Sequence, residues 1–313
     1  KKTKERIRKI AEGQGFAFNA NARSLSTNKT DTIGIIYPDN FHDFSVNLYF
    51  SSLHNQLRES LERENLDLIV SFAENKFTKT NNIERLIKCR KVDGLIIVKS
   101  NIDNQTINYL KNSRIPFVFM HHFPNTAQLQ DIDIVCTDHV RGGYLATEHL
   151  IKLGHSKIIC ISSLTETPEY ELRTKGYKAA LNDYNIPIDE RLILYGGISF
   201  KSSYEAIKRS FDLFKHATAV FAENDIMALG VIEALREFGV SVPDDIAVVG
   251  FDDIEMSTFF KPYLTTIHQP REEIAMLTCH RLVELINSKR PSARRKIVIQ
   301  PKLIVRESCG SNR

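Results

Sequence analysis

The chain has 313 residues, of which 42% are hydrophobic and 26% are charged, and its formal net charge is +4. This composition is typical of a globular protein, and the length allows two domains of ordinary size. The absence of any run of about 18 apolar residues excludes a membrane-spanning helix, and we expect no secretory signal peptide because no apolar segment follows the first lysines.

The positive charge is concentrated at the beginning of the chain. The first 30 residues hold eight cations and two anions, a net charge of +6, whereas the remaining residues hold 34 cations and 36 anions. A basic arm on a nearly neutral body suggests contact with phosphates, although a solvated tail explains the charge equally well. Apolar spacing predicts a short basic helix over Lys2–Gln14, and Asn19 then fits the N-cap of a helical turn too short to be stable alone.

From Thr32 onward, short apolar runs alternate with amphipathic segments. The apolar runs predict strands over Ile33–Tyr37, Leu66–Phe72, Gly94–Val98, Phe117–Met120, Lys157–Ile161, Ala219–Ala222 and Ala247–Phe251. The amphipathic segments predict helices over Ser45–Glu64, Asn81–Lys88, Gly142–Leu153, Glu171–Asp183, Ser202–Phe214, Asp225–Phe238 and Arg271–Asn287. This alternation favours two α/β lobes with doubly wound parallel sheets, and a barrel of eight βα units is the alternative.

The sequence lacks the motifs of common catalytic and cofactor sites. It has no phosphate-binding loop, no GxGxxG after a strand, no HExxH and no GxSxG. The five cysteines are widely spaced without a CxxC pair, so we expect free thiols in a reducing, cytoplasmic compartment. We therefore predict that the chain is not an enzyme and that it holds no cofactor and no metal.

Open parallel sheets bind ligands beyond the carboxyl ends of their strands. Five positions that follow predicted strands or open helices are candidates for such a site: Asp39, Phe44, His121, Asn224 and Asp252. Two lobes that face each other would form a cleft at this edge, so the sequence predicts a ligand site between them.

Three stretches resemble the lactose-repressor/galactose-repressor (LacI/GalR) family of transcription regulators. They are GFAFNANARSLSTNKTDTIGIIYPD at 15–39, CTDHVRGGYLATEHLIKLGHSKIICI at 136–161 followed by RTKGY at 173–177, and the long stretch 219–270, which contains AENDIMALG, VVGFDD and LTTIHQP. Together with VDGLIIVKS at 92–100 they cover nearly the whole chain in family order. The resemblance implies two lobes of periplasmic-binding-protein type behind a helical DNA-binding headpiece.

The resemblance also implies a division of the chain into four parts. These are the end of the headpiece at 1–18, a hinge helix and linker at 19–31, an N-terminal lobe at 32–135 plus 270–296, and a C-terminal lobe at 136–269 plus 297–308. The chain begins within what resembles the third headpiece helix, so we assign base-specific readout to none of its residues.

Four residues match the hinge-helix pattern of the family: Asn19, Ala22, Arg23 and Leu25. In that family two hinge helices of a dimer lie in the minor groove, where a leucine wedges between base pairs and bends the duplex. Arg23 could contact a phosphate or the groove. The alternative is a plain linker in which Leu25 packs on the body of the protein.

The resemblance assigns effector contacts to Arg173, Asn224, Asp252 and Gln269. An arginine fork and a carboxylate can each engage two neighbouring hydroxyl groups, and the amide side chains offer both donors and acceptors. Each residue also has a plainer interpretation: Arg173 as a surface charge, and Asn224 and Asp252 as helix caps.

These observations predict a homodimeric, cytoplasmic repressor that binds a carbohydrate between its lobes and couples their orientation to operator DNA. Two alternatives remain open at this stage. One is a solute-binding receptor for transport, which shares the lobe architecture. The other is an α/β enzyme that modifies sugars or nucleotides.

Overall fold

A computed structural model describes residues 29–39, 44–99, 102–120, 132–163, 168–288 and 293–311, together with isolated positions before residue 29. In chain order its strands and helices are β1 Thr32–Tyr37, α1 Phe44–Arg63, β2 Asp67–Phe72, α2 Asn82–Lys88, β3 Gly94–Ile97, α3 Asn104–Ser113, β4 Phe117–Met120, β5 Ile134–Thr137, α4 His139–Lys152, β6 Ile158–Ser162, α5 Pro168–Asp183, β7 Ile193–Tyr195, α6 Phe200–Arg209, α7 Phe211–Phe214, β8 Ala219–Ala222, α8 Asp225–Glu237, β9 Ala247–Asp252, β10 Thr265–His268, α9 Arg271–Asn287, β11 Lys296–Ile299 and β12 Lys302–Ile304.

The strands form two six-stranded sheets. The first has the order β11-β5-β4-β3-β1-β2 and is parallel throughout. The second has the order β12-β10-β9-β8-β6-β7 and is parallel except for the antiparallel pair β10–β12. Both sheets are open, so the predicted two-lobed α/β fold is confirmed and the barrel alternative is wrong.

All seven predicted strands and the seven helices predicted from Thr32 onward are present, with small shifts at their ends. The basic helix predicted over Lys2–Gln14 lies largely outside the described residues. The helix predicted over Ser202–Phe214 is two helices, α6 and α7, that meet at Ser210. The sequence prediction missed α3 and five strands: β5, β7, β10, β11 and β12. The first sheet includes β5 and β11, so it extends to Thr137 and Ile299, slightly beyond the predicted borders at 135 and 296.

Both faces of each sheet are covered by helices, and the central strands are buried over most of their length. Strands β3, β4, β5 and β8 are fully buried, which explains their continuous apolar runs. Within the described part of the chain, no helix combines the length and the hydrophobicity needed to cross a bilayer.

Two glycines allow α4 and α5 to pack closely in the second lobe. A Cβ atom added to Gly143 would lie 2.1 Å from the carbonyl oxygen of Arg173, and one added to Gly176 would lie 2.1 Å from that of Val140. Contacts this short are backbone contacts that cannot relax by rotating a side chain. Helix α5, which carries Arg173, therefore takes its position from the absence of side chains at 143 and 176.

The linker that precedes β1 is fastened to the first lobe by one carboxylate. Asp93, just before β3, accepts hydrogen bonds from the backbone N–H of Thr30 at 2.8 Å and of Asp31 at 2.8 Å. The Thr30 hydroxyl also donates to Asp93 at 3.0 Å. The amino ends of the strands in this lobe thus hold the segment that leads to residues 1–28.

Candidate functional site

A buried polar cluster lies at the carboxyl ends of the strands in the second lobe. Asn224 follows β8, Asp252 ends β9, and Gln269 follows β10. These three strands include two neighbouring pairs, β8–β9 and β9–β10, so their ends share one edge. Arg173 reaches the same edge from α5, and the structure thus brings together four of the predicted effector residues.

Arg173 is the centre of this cluster and is only 5% exposed. Its Nη2 lies 3.4 Å from Oδ1 of Asp252, and its Nε donates to Nδ1 of His139 at 3.3 Å. Its Nη1 donates to the carbonyl oxygen of Glu223. The guanidinium group lies over the ring of Phe251, 3.8 Å from the centroid. The interpretation of Arg173 as a surface charge is therefore wrong.

Asp252 and Gln269 form a second hydrogen-bonded pair within the cluster. Nε2 of Gln269 donates to Oδ1 of Asp252 at 2.7 Å. Gln269 is buried, and its Oε1 has no hydrogen-bond partner among the described residues. A buried acceptor without a partner is costly, so this oxygen is available to any hydrogen-bond donor that enters the cluster.

Asn224 is an N-cap and a member of the cluster at the same time. Its Oδ1 accepts a hydrogen bond from the backbone N–H of Met227 at 2.7 Å, which caps α8. Its Nδ2 donates to the Tyr170 hydroxyl at 3.1 Å and to the carbonyl oxygen of Ile198 at 3.2 Å. The predicted cap is thus confirmed, and the amide also fixes the Tyr170 ring, whose centroid is 5.2 Å from the Arg173 guanidinium.

Asp252 does not cap a helix, because the short helical turn that follows it begins after Ile254 without a side-chain cap. Instead, Asp252 and Asp253 adopt positive φ values of 112° and 52°. Arg271 donates to the carbonyl oxygens of both residues, at 2.9 Å for Asp253. Arg271 belongs to α9, which packs against α1 in the first lobe, so it ties the end of β9 to the other lobe.

The first lobe contributes an aromatic side chain that the sequence analysis missed. Tyr49 of α1 is buried, and its ring lies 5.6 Å from the Arg271 guanidinium. Burial raises the pKa of the Tyr49 hydroxyl, and Arg271 and Asp252 are among the charges that act on it. Tyr49, Arg271 and Asp252 therefore mark the place where the two lobes meet.

Glu223 is a second residue that the sequence analysis missed. Its carboxylate is fully buried beneath the cluster and accepts hydrogen bonds from Ser162 at 2.7 Å and from Thr174. Burial raises the pKa of Glu223 to about 7, although the hydrogen bonds from Thr174 and Ser162 and the charge of Arg173 lower it. Burial also raises the pKa of Asp252, against the opposing effects of Arg173, Gln269 and Arg271.

The remaining predicted site residues lie elsewhere or are not described. Asp39 follows β1 and forms an ion pair with Lys99, at the carboxyl end of the first sheet. Phe44 is the first residue of α1, but the contact predicted for its side chain falls outside the described residues. His121 and the four hinge residues Asn19, Ala22, Arg23 and Leu25 also lie outside them.

The cluster contains the kinds of group that hydrogen-bond to polar ligands in proteins. Arg173 offers donors, whereas Asp252 and Gln269 offer acceptors, and Tyr170 and Phe251 offer aromatic faces. Among the described residues, no three histidine, cysteine or acidic side chains are grouped so that they could hold a metal ion. The fold and the site together define a two-lobed ligand-binding protein of periplasmic-binding-protein type.

Comparisons with known proteins agree with this class. Residues 147–309 match the family model of the periplasmic binding protein-like domain. The HTH-type transcriptional repressor PurR of Vibrio atlanticus is 33% identical over 307 residues, which cover 98% of this chain and 89% of the relative.

Two solved structures of LacI family transcriptional regulators are also similar. The regulator from Enterococcus faecium with bound ribose is 32% identical, with a TM-score of 0.75, over 88% of this chain and 98% of that chain. The regulator from Enterococcus faecalis V583 with bound ribose is 30% identical, with a TM-score of 0.74, over 88% of this chain and 98% of that chain.

The chain belongs to the LacI family of transcriptional regulators. The resemblance noted in the sequence is therefore confirmed. Because the relatives are repressors and regulators, they support the prediction that the chain is not an enzyme, and they favour a regulator over a transport receptor.

Replacement of Glu223 by glutamine should change how stability depends on pH. Because its pKa is raised, Glu223 in the folded protein keeps its proton up to about pH 7. In the unfolded chain the same side chain releases its proton above its ordinary pKa near 4.5. Its contribution to the free energy of unfolding is therefore lost as the pH rises from about 4.5 to about 7. Urea unfolding from pH 5 to 8 should show Glu223→Gln gaining stability relative to wild type as the pH rises.

The matched control is Glu190→Gln, at an exposed position of the same lobe. Its stability relative to wild type should stay constant across the same pH range. A difference between Glu223→Gln and wild type that is equally constant would contradict the protonation of Glu223 in the folded protein.

Proposed function

We propose that the protein is a homodimeric, DNA-binding transcriptional repressor whose affinity for operator DNA is controlled by a small sugar bound between its lobes. The observation that carries this proposal is the buried cluster of Arg173, Asn224, Asp252 and Gln269 in a member of the LacI family. Operator binding implies a cytoplasmic location.

The chemistry of the cluster favours a polyhydroxylated ligand. A sugar hydroxyl group both donates and accepts a hydrogen bond, so it can satisfy Oε1 of Gln269 while it accepts from Arg173. The carboxylate of Asp252 can accept from two neighbouring hydroxyl groups. Two similar regulators have bound ribose, and we therefore propose a pentose, with ribose as the first candidate.

Coupling to DNA follows from the position of the linker. Asp93 holds Thr30 and Asp31 on the first lobe, whereas Arg173, Asp252 and Asn224 belong to the second lobe. A ligand that changes the angle between the lobes would therefore change the separation of the two linkers in a dimer. The hinge segment with Asn19, Ala22, Arg23 and Leu25 would then fold onto the minor groove or leave it.

The proposed dimer is supported by apolar side chains on an edge strand. Val70 and Phe72 are 44% and 38% exposed on β2, the outermost strand of the first sheet, and they point to the same face. Phe77, shortly after this strand, is 90% exposed. An uncovered apolar edge strand promotes aggregation, so a second copy of the chain is the natural cover for it.

Ribose should bind to the wild-type protein and change its operator affinity at least fivefold, which corresponds to a coupling free energy of about 1 kcal/mol. Arg173→Met and Asp252→Asn should each weaken ribose binding about 10- to 100-fold, because each removes a hydrogen bond to a charged group. Isothermal titration calorimetry and operator-binding assays measure the two effects.

In these assays Glu190→Gln, which alters only an exposed carboxylate of the second lobe, should behave like the wild type. If no sugar in a panel of pentoses, hexoses and disaccharides binds the wild-type protein, the effector class is wrong. If ribose binds in the cleft and leaves the operator affinity unchanged, the proposed coupling is wrong.

The combined substitution of Val70→Glu and Phe72→Glu should raise the dissociation constant of the dimer about 30-fold or more, since loss of a buried aromatic contact at an interface costs about 2 kcal/mol. Sedimentation velocity over a concentration series measures this change. Tyr195→Glu is the control, because Tyr195 is exposed on β7, the edge strand of the other sheet. Dimers of unchanged stability after the double substitution would rule out this interface.

A further inference from the structure

A basic pocket lies at the end of the first lobe opposite the cleft. It has a volume of about 880 Å³ and includes the linker residues Lys29 and Thr30 in its walls. Its charged lining residues are four cations, Lys29, Arg90, Lys91 and Arg114, and one anion, Asp93. We call these four cations and the cavity between them the basal pocket.

The positive charge of the basal pocket is not balanced by the anion within it. Both carboxylate oxygens of Asp93 accept hydrogen bonds from the linker backbone, at 2.8 Å from Thr30 and 2.8 Å from Asp31. Lys29 donates to the side-chain oxygen of Asn287, which is neutral. Across the part of the chain that the structure describes, neither Lys91 nor Arg114 forms an ion pair.

The ends of helices α2 and α3 explain only part of this cluster of cations. Arg90 and Arg114 follow α2 and α3 with positive φ values of 49° and 60°, where cations interact favourably with the carbonyl ends of the helices. The left-handed conformation at such positions is usually taken by glycine or asparagine. Lys29 lies in the wall of the pocket but outside both of these helices, so the ends of α2 and α3 do not account for the whole cluster.

We propose that the cations of the basal pocket contact the phosphate backbone of the DNA to which the protein is bound. This inference rests on the proposed function, because it takes the hinge segment to lie on the duplex. Leu25 precedes Lys29 by four residues, a distance of at most about 14 Å along the chain. A duplex carries one phosphate charge per about 1.7 Å of its axis, so DNA engaged at Leu25 presents phosphates to the pocket.

The contact is independent of base sequence and is distinct from the hinge. The pocket belongs to the body of the first lobe, and Asp93 fixes its position relative to the linker. Phosphate contacts from a fixed position set the register and orientation of a protein on DNA without reading bases. The first lobe would therefore add affinity for any duplex and hold the hinge at a fixed height above the groove.

Salt dependence of DNA binding tests this proposal. Lys91→Ala combined with Arg114→Ala removes two cations per protomer, and hence about four phosphate contacts in a dimer. The slope of log affinity against log salt concentration should become shallower by about 3 to 4, and affinity at about 0.1 M salt should fall at least tenfold for operator and unrelated DNA alike.

The matched control is Lys157→Ala combined with Lys215→Ala, which removes two exposed lysines at the amino ends of the strands of the second lobe. This pair should leave the slope and the affinity unchanged. If the Lys91 and Arg114 variant melts at a lower temperature but binds DNA with the wild-type slope, the cations serve the helix ends and the proposal is overturned.

A second measurement uses a native cysteine as the attachment site for a DNA-cleaving probe. Cys89 lines the basal pocket and is the exposed cysteine among the five. An iron chelate attached to Cys89 should cleave operator DNA beside the hinge site, whereas the same chelate on a Cys89→Ser, Lys157→Cys variant should not.

The two measurements separate this inference from the proposed function. Wild-type protein that binds operator DNA, together with an unchanged salt slope and no cleavage from Cys89, overturns the inference alone. Wild-type protein that binds no operator DNA at any salt concentration overturns the proposed function and this inference with it.

Discussion

A single buried guanidinium group, that of Arg173, holds together the elements that meet at the cleft. Charge is costly to bury unless it is hydrogen-bonded and paired, so each of its partners must be held in place. Those partners come from different elements: His139 from α4, the carbonyl oxygen of Glu223 after β8, and Asp252 at the end of β9. The close packing of α4 and α5 through Gly143 and Gly176 brings Arg173 to them.

The same network links the two lobes and contains a hydrogen-bond acceptor that has no partner within it. Arg271 comes from a helix of the first lobe and holds the backbone carbonyls of Asp252 and Asp253, while Tyr49 packs beside it. Oε1 of Gln269 stays without a partner in the part of the chain that is described. A ligand that satisfies this atom would add bonds at the junction of the lobes, where a small change alters their relative orientation.

Most of the fold could be predicted because the central strands are continuous apolar runs that alternate with amphipathic helices. The strands that were not predicted were missed for physical reasons. Strand β10 has the sequence TTIH, and the edge strands β11 and β12 begin with exposed lysines, so none of them contains an apolar run of four residues. Strand β7 contains only three residues, which is too short for a periodic signal.

The site could be predicted only in part, because some of its contacts join residues that are far apart in the sequence. Asn224 and Asp252 could be found because strand ends share an edge, and Arg173 and Gln269 because the chain resembles a family. Glu223 directly precedes Asn224, but nothing in the sequence shows that its carboxylate turns into the lobe to meet Ser162. Tyr49 and Arg271 contact each other across 222 positions of the sequence, and such a pair becomes visible only in the folded chain.

We propose that Arg173 and Asp252 act as one unit in ligand binding, and a double-mutant cycle on ribose affinity is the sharpest test of this coupling. The cycle compares wild type, Arg173→Met, Asp252→Asn and the double variant by isothermal titration calorimetry. We expect the double variant to lose little more affinity than either single variant, with an interaction free energy of about 1 kcal/mol or more. Losses that add within about 0.5 kcal/mol would show two independent contacts and contradict the account.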